Sequence, residues 1–305
     1  MRKVIGIGET ILDIIFQDNQ PRKAVPGGST FNCMVSLGRT GIPALFISEL
    51  GQDKVGRLIR DFMSENNLSS QFIDFFEEGS SPIALAFLDR QQNAEYQFYK
   101  AFPKKRLSVD FPEINENDIV IFGSYFALNP DLRDKVVQLL NYAKSRKAII
   151  YYDINFRKAH AAERLELMDN FVENFNFSTI IRCSDEDLDV LYPGKSIDEI
   201  YQDIISPVCK NFIVTKGGEG IILKTDLFEK EYSVKALSPI STIGAGDNFN
   251  AGLIYSIIKE NIDFASLSKL KVEQWDKLIE FAKLFSAEVC LSYDNYVSKD
   301  FAASL

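Results

Sequence analysis

The 305-residue chain predicts an α/β fold: a mainly parallel central sheet between layers of helices, with a second, smaller β sheet. Three observations carry this. From Ile119 onward, short apolar runs alternate regularly with helical periodicities, the pattern of parallel strands covered on both faces. Two segments, about 11–25 and 72–102, alternate apolar and polar residues around polar turns without a helical stretch, the pattern of hairpins. No repeat, low-complexity run or long linker divides the chain. One domain over 1–305 is therefore expected, with the hairpin segments inserted into its α/β core.

Residues 4–7 read as a buried first strand. The Gly6-x-Gly8 that ends it lacks a third glycine and opens no helix, so a dinucleotide-binding fingerprint, and with it a dehydrogenase, is rejected. The first hairpin turns at 17–21. A strand over 44–50 precedes a helix over 54–67, where Val55, Leu58, Ile59 and Phe62 recur at helical spacing. In the second hairpin, Ile83, Leu85 and Phe87 face Tyr96 and Phe98 across a polar turn at 89–93. Further strands are expected at 119–122, 148–152, 179–182, 212–215 and 220–223, with helices centred on 133–145, 161–175, 185–191 and 197–205. Ligands of such sheets bind beyond the carboxyl ends of the strands. Asp13, Asn155, Arg157, Lys216 and Gly217 all fall there.

Composition narrows the function. With 34 basic against 43 acidic residues the chain has no basic footprint for nucleic acid. Cys33, Cys183, Cys209 and Cys290 form no Cys-x-x-Cys pair, and buried thiols of a reducing compartment are expected. His160 is the only histidine, which excludes His-rich zinc sites. Glu9 and Asp13 interrupt the apolar N-terminus, so neither a leader nor a membrane span is expected there and the reading is a cytoplasmic enzyme.

The chemistry is concentrated in Ser241-Thr242-Ile243-Gly244-Ala245-Gly246-Asp247. Gly244 and Gly246 allow close backbone approach to a ligand. The apolar periodicity of Phe249, Leu253, Ile254 and Ile257 then starts a helix, whose free amides and dipole favour a phosphate. Asp247 in that first turn is placed to take a proton from a hydroxyl. An anion cradle beside a base points to phosphoryl transfer to an alcohol. A second glycine pair, Pro26-Gly27-Gly28-Ser29-Thr30-Phe31-Asn32, opens another apolar helix.

Together these segments resemble the two signatures of the PfkB (ribokinase-like) carbohydrate kinases, in the family's order and at about its spacing. The resemblance implies a three-layer ribokinase-like fold in which the hairpins form a lid over a sugar pocket. It implies that Asp13 binds two sugar hydroxyls, with Gly27, Gly28 and Asn32 beside it. Asp153-x-Asn155-x-Arg157 and the Tyr96–Lys100 stretch resemble the fructokinase and 2-keto-3-deoxygluconate kinase branch, and place Phe98 and Arg157 on the sugar side. Thr215-Lys216-Gly217-Gly218-Glu219-Gly220 resembles the nucleotide loop, so Thr215, Gly217 and Gly220 are expected near ATP, together with Asn295 further on.

Two places depart from the family. Ser184-Asp185-Glu186-Asp187 stands for its Asn-x-x-Glu element. Ser184 would then meet nucleotide and Asp187, or Glu186, would meet Mg²⁺ through water, while a plain helix cap explains the same letters. Ser241 stands where the family has an Asp that helps bind K⁺, and a serine brings no charge, so K⁺ activation is not expected. The resulting expectation is an ATP- and Mg²⁺-dependent kinase of a small sugar, with Asp247 as base and the amides of Gly244, Ala245 and Gly246 as phosphoryl cradle. Fructose leads, followed by 2-keto-3-deoxygluconate and nucleosides; a non-catalytic sugar- or nucleotide-binding relative is the different class. Lid strands in the family often pair between subunits, which leaves room for a homodimer.

Overall fold

A computed structural model describes residues 2–88 and 94–305. The polar turn expected at 89–93 lies outside the described residues. The strands, in chain order, are β1 Val4–Ile7, β2 Ile11–Gln17, β3 Gln20–Gly27, β4 Ala44–Gly51, β5 Leu68–Ser69, β6 Ile73–Phe76, β7 Ser80–Leu88, β8 Ala94–Ala101, β9 Ile119–Gly123, β10 Ile149–Asp153, β11 Ile180–Ser184, β12 Asn211–Thr215, β13 Ile221–Thr225 and β14 Glu229–Tyr232.

The central sheet runs β14-β13-β12-β11-β10-β9-β1-β4-β5, with β6 also on β4. From β12 through β10 and β1 to β4 every neighbour is parallel, whereas β13 and β14 are added antiparallel at one edge. Alternate residues of each central strand enter opposite cores. On β10, Ile149 and Tyr151 join the cluster of Phe31, Leu253 and Trp275. Ile150 and Tyr152 join that of Leu140, Phe171 and Phe212. Both faces are thereby dry, and this explains the near-continuous apolar strands of the sequence.

The smaller sheet runs β3-β2-β7-β8. The hairpins β2–β3 and β7–β8 are joined by parallel pairing of β2 with β7, so Asp13 stands opposite Ala84. Its own apolar cluster is slight: Ile15, Val25 and Ala86, with Leu88 and Tyr96. The lid segment is shorter than expected, because Ile73–Phe76 pairs with β4 in the central sheet. The helix expected over 161–175 also differs. Residues Lys158–Glu163 form 3₁₀ turns and the α-helix begins only at Met168.

Candidate active site

The site lies where the carboxyl ends of β9–β12 meet two helix starts and the base of the small sheet. Gly244, the residue before the helix Ala245–Lys259, has φ 79°, a conformation open to glycine at little cost. A Cβ there would also stand 2.7 Å from the Asn295 carbonyl. Asn248 staples this turn from within the helix, since its Nδ2 donates to the carbonyls of Gly244 and Asn295, each at 2.8 Å. The amides of Gly244 and Gly246 have no backbone acceptor among the described residues, whereas Ala245 N–H donates to Thr242 O at 3.2 Å. Of the three amides expected to form the cradle, that of Ala245 thus closes a turn, unlike those of Gly244 and Gly246.

Asp247 is buried and accepts a 2.7 Å hydrogen bond from Asn32 Nδ2. Desolvation pushes its carboxyl up to about 6; Asn32 opposes the rise and the charge of Asp153 adds to it. Asn32 comes from the helix Ser29–Arg39, which the Gly27-Gly28 pair introduces. Gly28 has φ 124°, and a Cβ on it would fall 2.1 Å from the Glu9 carbonyl. A Cβ on Gly27 would fall 2.2 Å from Asp13 Oδ2. The glycine pair therefore keeps open the space in which Asp13 sits.

Asp13 lies within β2 rather than in a loop after β1, and is buried. Desolvation, and then the charges of Asp247 and Glu9, raise its carboxyl to about 7, against a hydrogen bond from Asn295. Asn295, expected near the nucleotide, stands beside Asp13: its Nδ2 donates to Asp13 Oδ2 at 3.3 Å. Asn32 Oδ1 and Asn295 Oδ1 are both buried without a hydrogen-bond partner. Two orphan acceptors beside two proton-hungry carboxylates are complementary to the hydroxyls of a polyol.

The remaining expected residues divide. Arg157 is exposed at the end of the loop after β10, and its charge reaches both Asp247 and Tyr96. Asn155 (φ 38°) and Ser124 (φ 53°), two strained residues at neighbouring strand ends, are joined by a 3.2 Å hydrogen bond. Phe98 is 44% exposed on β8, stacked on Tyr96 at 5.7 Å and beneath Lys100. Lys100 itself pairs with Glu9 at 2.7 Å. Thr215 ends β12, and Gly217 (φ 50°) has open space where a Cβ would point; Gly220 backs onto Tyr232 instead.

Ser184 and Asp187 form a reciprocal cap on the helix Asp185–Leu191. Asp187 Oδ2 accepts from Ser184 N–H at 2.7 Å and Oδ1 accepts from Phe156 N–H at 2.8 Å. The carboxylate oxygens of Asp187 and the hydroxyl of Ser184, expected to face metal-bound water and nucleotide, each accept from a backbone amide here. Ser241 is likewise internal: its Oγ accepts from Ile243 N–H at 3.1 Å.

Sequence reasoning missed a buried polar layer under the helix start. Arg182 donates to Asp153 Oδ1 (3.0 Å) and Thr215 Oγ1 (2.5 Å). Asp153 Oδ2 accepts from Asn250 Nδ2 (2.8 Å), and Tyr151 O–H donates to Asn250 Oδ1 (2.8 Å). The available signal was a charged residue in the otherwise apolar strand at 179–182.

A lidded parallel sheet with a buried acid pair and a glycine-cradled helix start defines the class: a kinase of small molecules bearing hydroxyl groups. The chain belongs to the pfkB family of carbohydrate kinases, whose family model matches residues 1–299. It is similar to "probable fructokinase-2" of Arabidopsis thaliana, with 24% identity over 297 residues covering 93% of this chain and 88% of that protein. Among solved structures it superimposes on a fructokinase double mutant of Vibrio cholerae O395 bound to fructose, ADP and potassium ion (TM-score 0.85, 20% identity, 100% and 98% of the two chains). A similar match is aminoimidazole riboside kinase of Salmonella enterica, in complex with aminoimidazole riboside and an ATP analogue (TM-score 0.81, 19% identity, 99% of each chain).

Proposed function

We propose that this chain is a fructokinase, transferring the terminal phosphoryl group of ATP to a primary hydroxyl of fructose. One observation carries the reading: Asp13 and Asp247, both buried and raised toward neutrality, border the unpartnered Asn32 and Asn295 oxygens at the start of a glycine-cradled helix. Asp13 anchors sugar hydroxyls. Asp247 takes the proton of the attacking hydroxyl, held by Asn32 for that task. The amides of Gly244 and Gly246 receive the charge gathering on the transferred phosphoryl group. Thr215 and Gly217 meet the nucleotide, and Phe98 and Arg157 flank the sugar. Among the described residues no group of three or more His, Cys, Asp or Glu could hold a metal ion, which suits a Mg²⁺ carried mainly by the nucleotide phosphates. When bound there, Mg²⁺ neutralises phosphate charge.

Several finer points belong to the same proposal. Fructose is favoured over 2-keto-3-deoxygluconate because Lys100 is already paired with Glu9, leaving Arg157 as the cation for a substrate carboxylate. All four cysteines are buried and unpaired, which supports a cytoplasmic setting. Among the described residues no helix is long and apolar enough to cross a membrane. Tyr99, 52% exposed on β8, points to the face opposite Phe98 and gives the lid a surface for a homodimer.

The test is ADP release with Mg·ATP against fructose, ribose, 2-keto-3-deoxygluconate and nucleosides, with and without K⁺. Turnover is expected on fructose, independent of K⁺ because Ser241 is uncharged and its hydroxyl already holds a turn. Turnover confined to the keto acid would move the substrate assignment to Arg157. Silence throughout, with ATP still shifting the melting temperature, would leave only the binding role.

A further inference from the structure

Beneath the first turn of the helix Ala245–Lys259 lies a fixed charge. Arg182 sits on β11, on the sheet face packed against that helix, and is only 6% exposed. A Cβ built on Gly246 would fall 2.8 Å from its Nη2 and 2.9 Å from its Nη1. The guanidinium therefore lies directly against the glycine whose amide belongs to the cradle. Its Nε is buried and has no hydrogen-bond partner among the described residues.

The two partners of Arg182 stand on opposite sides of the reaction. Thr215, bonded to Nη2, ends β12 and opens the Gly217 loop on the nucleotide side. Asp153, bonded to Nη1, reaches the sugar side: its Oδ2 accepts from Asn250 on the Asp247 helix and, at 3.4 Å, from Ser29 Oγ next to Gly28. A buried ion pair is a poor way to gain stability, since apolar residues of the same volume do as well or better. A planar fork with two fixed partners does supply geometry that apolar packing lacks. In-line transfer needs that geometry, because donor phosphorus and acceptor oxygen must be held about 3–3.5 Å apart.

We propose that Arg182 is a positioning residue for phosphoryl transfer, a fixed cation behind the Gly244–Gly246 cradle that locks the nucleotide side, through Thr215, to the sugar side, through Asp153. The inference rests on the kinase reading above. The charge acts through the cradle: it strengthens the pull on the developing phosphoryl negative charge without touching substrate.

The test is a kinetic cycle with Mg·ATP and the best sugar of the panel, on wild type, Arg182→Met, Arg182→Lys, Asp153→Asn and the Arg182→Met/Asp153→Asn pair. Arg182→Met is expected to lower kcat about 100-fold while leaving KM for the sugar unchanged. Arg182→Lys, which keeps the charge but not the fork, recovers part of that loss. The charge-neutral pair regains the melting temperature, yet its kcat stays about tenfold or more below that of Asp153→Asn alone. Equal kcat for Asp153→Asn and the pair would overturn the proposal, since Arg182 would then merely neutralise Asp153. If Arg182→Met does not fold, the lysine variant and the neutral pair carry the same comparison. A silent wild type would sink the kinase reading itself; an active wild type with a flat cycle would sink only the role of Arg182.

Discussion

Asp13 and Asp247 are alike in burial, and their neighbours divide the work between them. Asp247 has one strong donor, Asn32 Nδ2 at 2.7 Å, and stands in the first turn of a helix whose dipole favours its anion. Asp13 has a longer contact to Asn295 and two acidic neighbours, and holds its proton to higher pH. On the proposed reading the base is Asp247 because of its place: it stands in the first turn of the glycine-bordered helix, where the transferred phosphoryl group and the attacking hydroxyl would meet. Replacing it by Asn leaves the Asn32 side intact and removes the proton acceptor, so kcat is expected to fall about 10²–10⁴-fold with sugar binding retained in calorimetry. An active Asn variant would remove Asp247 from the role of base. The same ionisation sets an acid limb. With Asp13 pushed up to about 7 and Asp247 to about 6, kcat/KM should decline as the pH drops through this range.

At the scale of elements, the legible parts were those with a local period or a special turn. The Gly-Ala-Gly-Asp helix start, the Gly-Gly-opened helix and the alternating strands announce themselves, because backbone geometry and burial act over a few residues. What stayed hidden depends on partners distant in sequence. Arg182 stands in an otherwise apolar strand, and nothing local shows its use until Thr215 and Asp153 are brought to it. Asn295 reads as nucleotide-side, and its 3.3 Å contact with Asp13, far off in sequence, is visible only in the fold. Asp187 reads as metal-directed or as a helix cap; its cap is seen in the structure, and the Phe156 amide is a further partner that the sequence does not announce. That amide makes Asp187 a tie between the helix Asp185–Leu191 and the loop carrying Asn155 and Arg157. Asp187→Ala leaves two buried or half-buried amides without an acceptor, and is expected to cost about 2 kcal/mol of stability in denaturant unfolding. Its Mg²⁺ dependence should stay that of wild type. A shifted Mg²⁺ requirement with unchanged stability would instead support the metal role.

At the scale of the whole molecule, the site is held at a cost in stability that pH makes visible. Burial raises the carboxyls of Asp13, Asp187 and Asp247 above the value of 3.8 that an unfolded aspartate shows. Between that value and about 7 the folded chain binds more protons than the unfolded one, so stability falls as the pH rises through this window. Carboxyls that folding lowers, such as Asp53, held by the Gly56 amide and Ser81, work in the opposite direction, but only near and below the ordinary carboxylate range. The ligand-free protein should therefore melt at a higher temperature near pH 5.5 than near pH 8, contrary to a fold stabilised mainly by surface ion pairs. Asp13→Asn removes one of these raised carboxyls while keeping the hydrogen-bonding shape. It should raise the melting temperature at pH 8, flatten the rise toward pH 5.5 and abolish sugar binding. A melting temperature that climbs from pH 5.5 to 8 in wild type would show that the site carboxylates are better solvated than their burial among Gly27, Asn32 and Asn295 dictates.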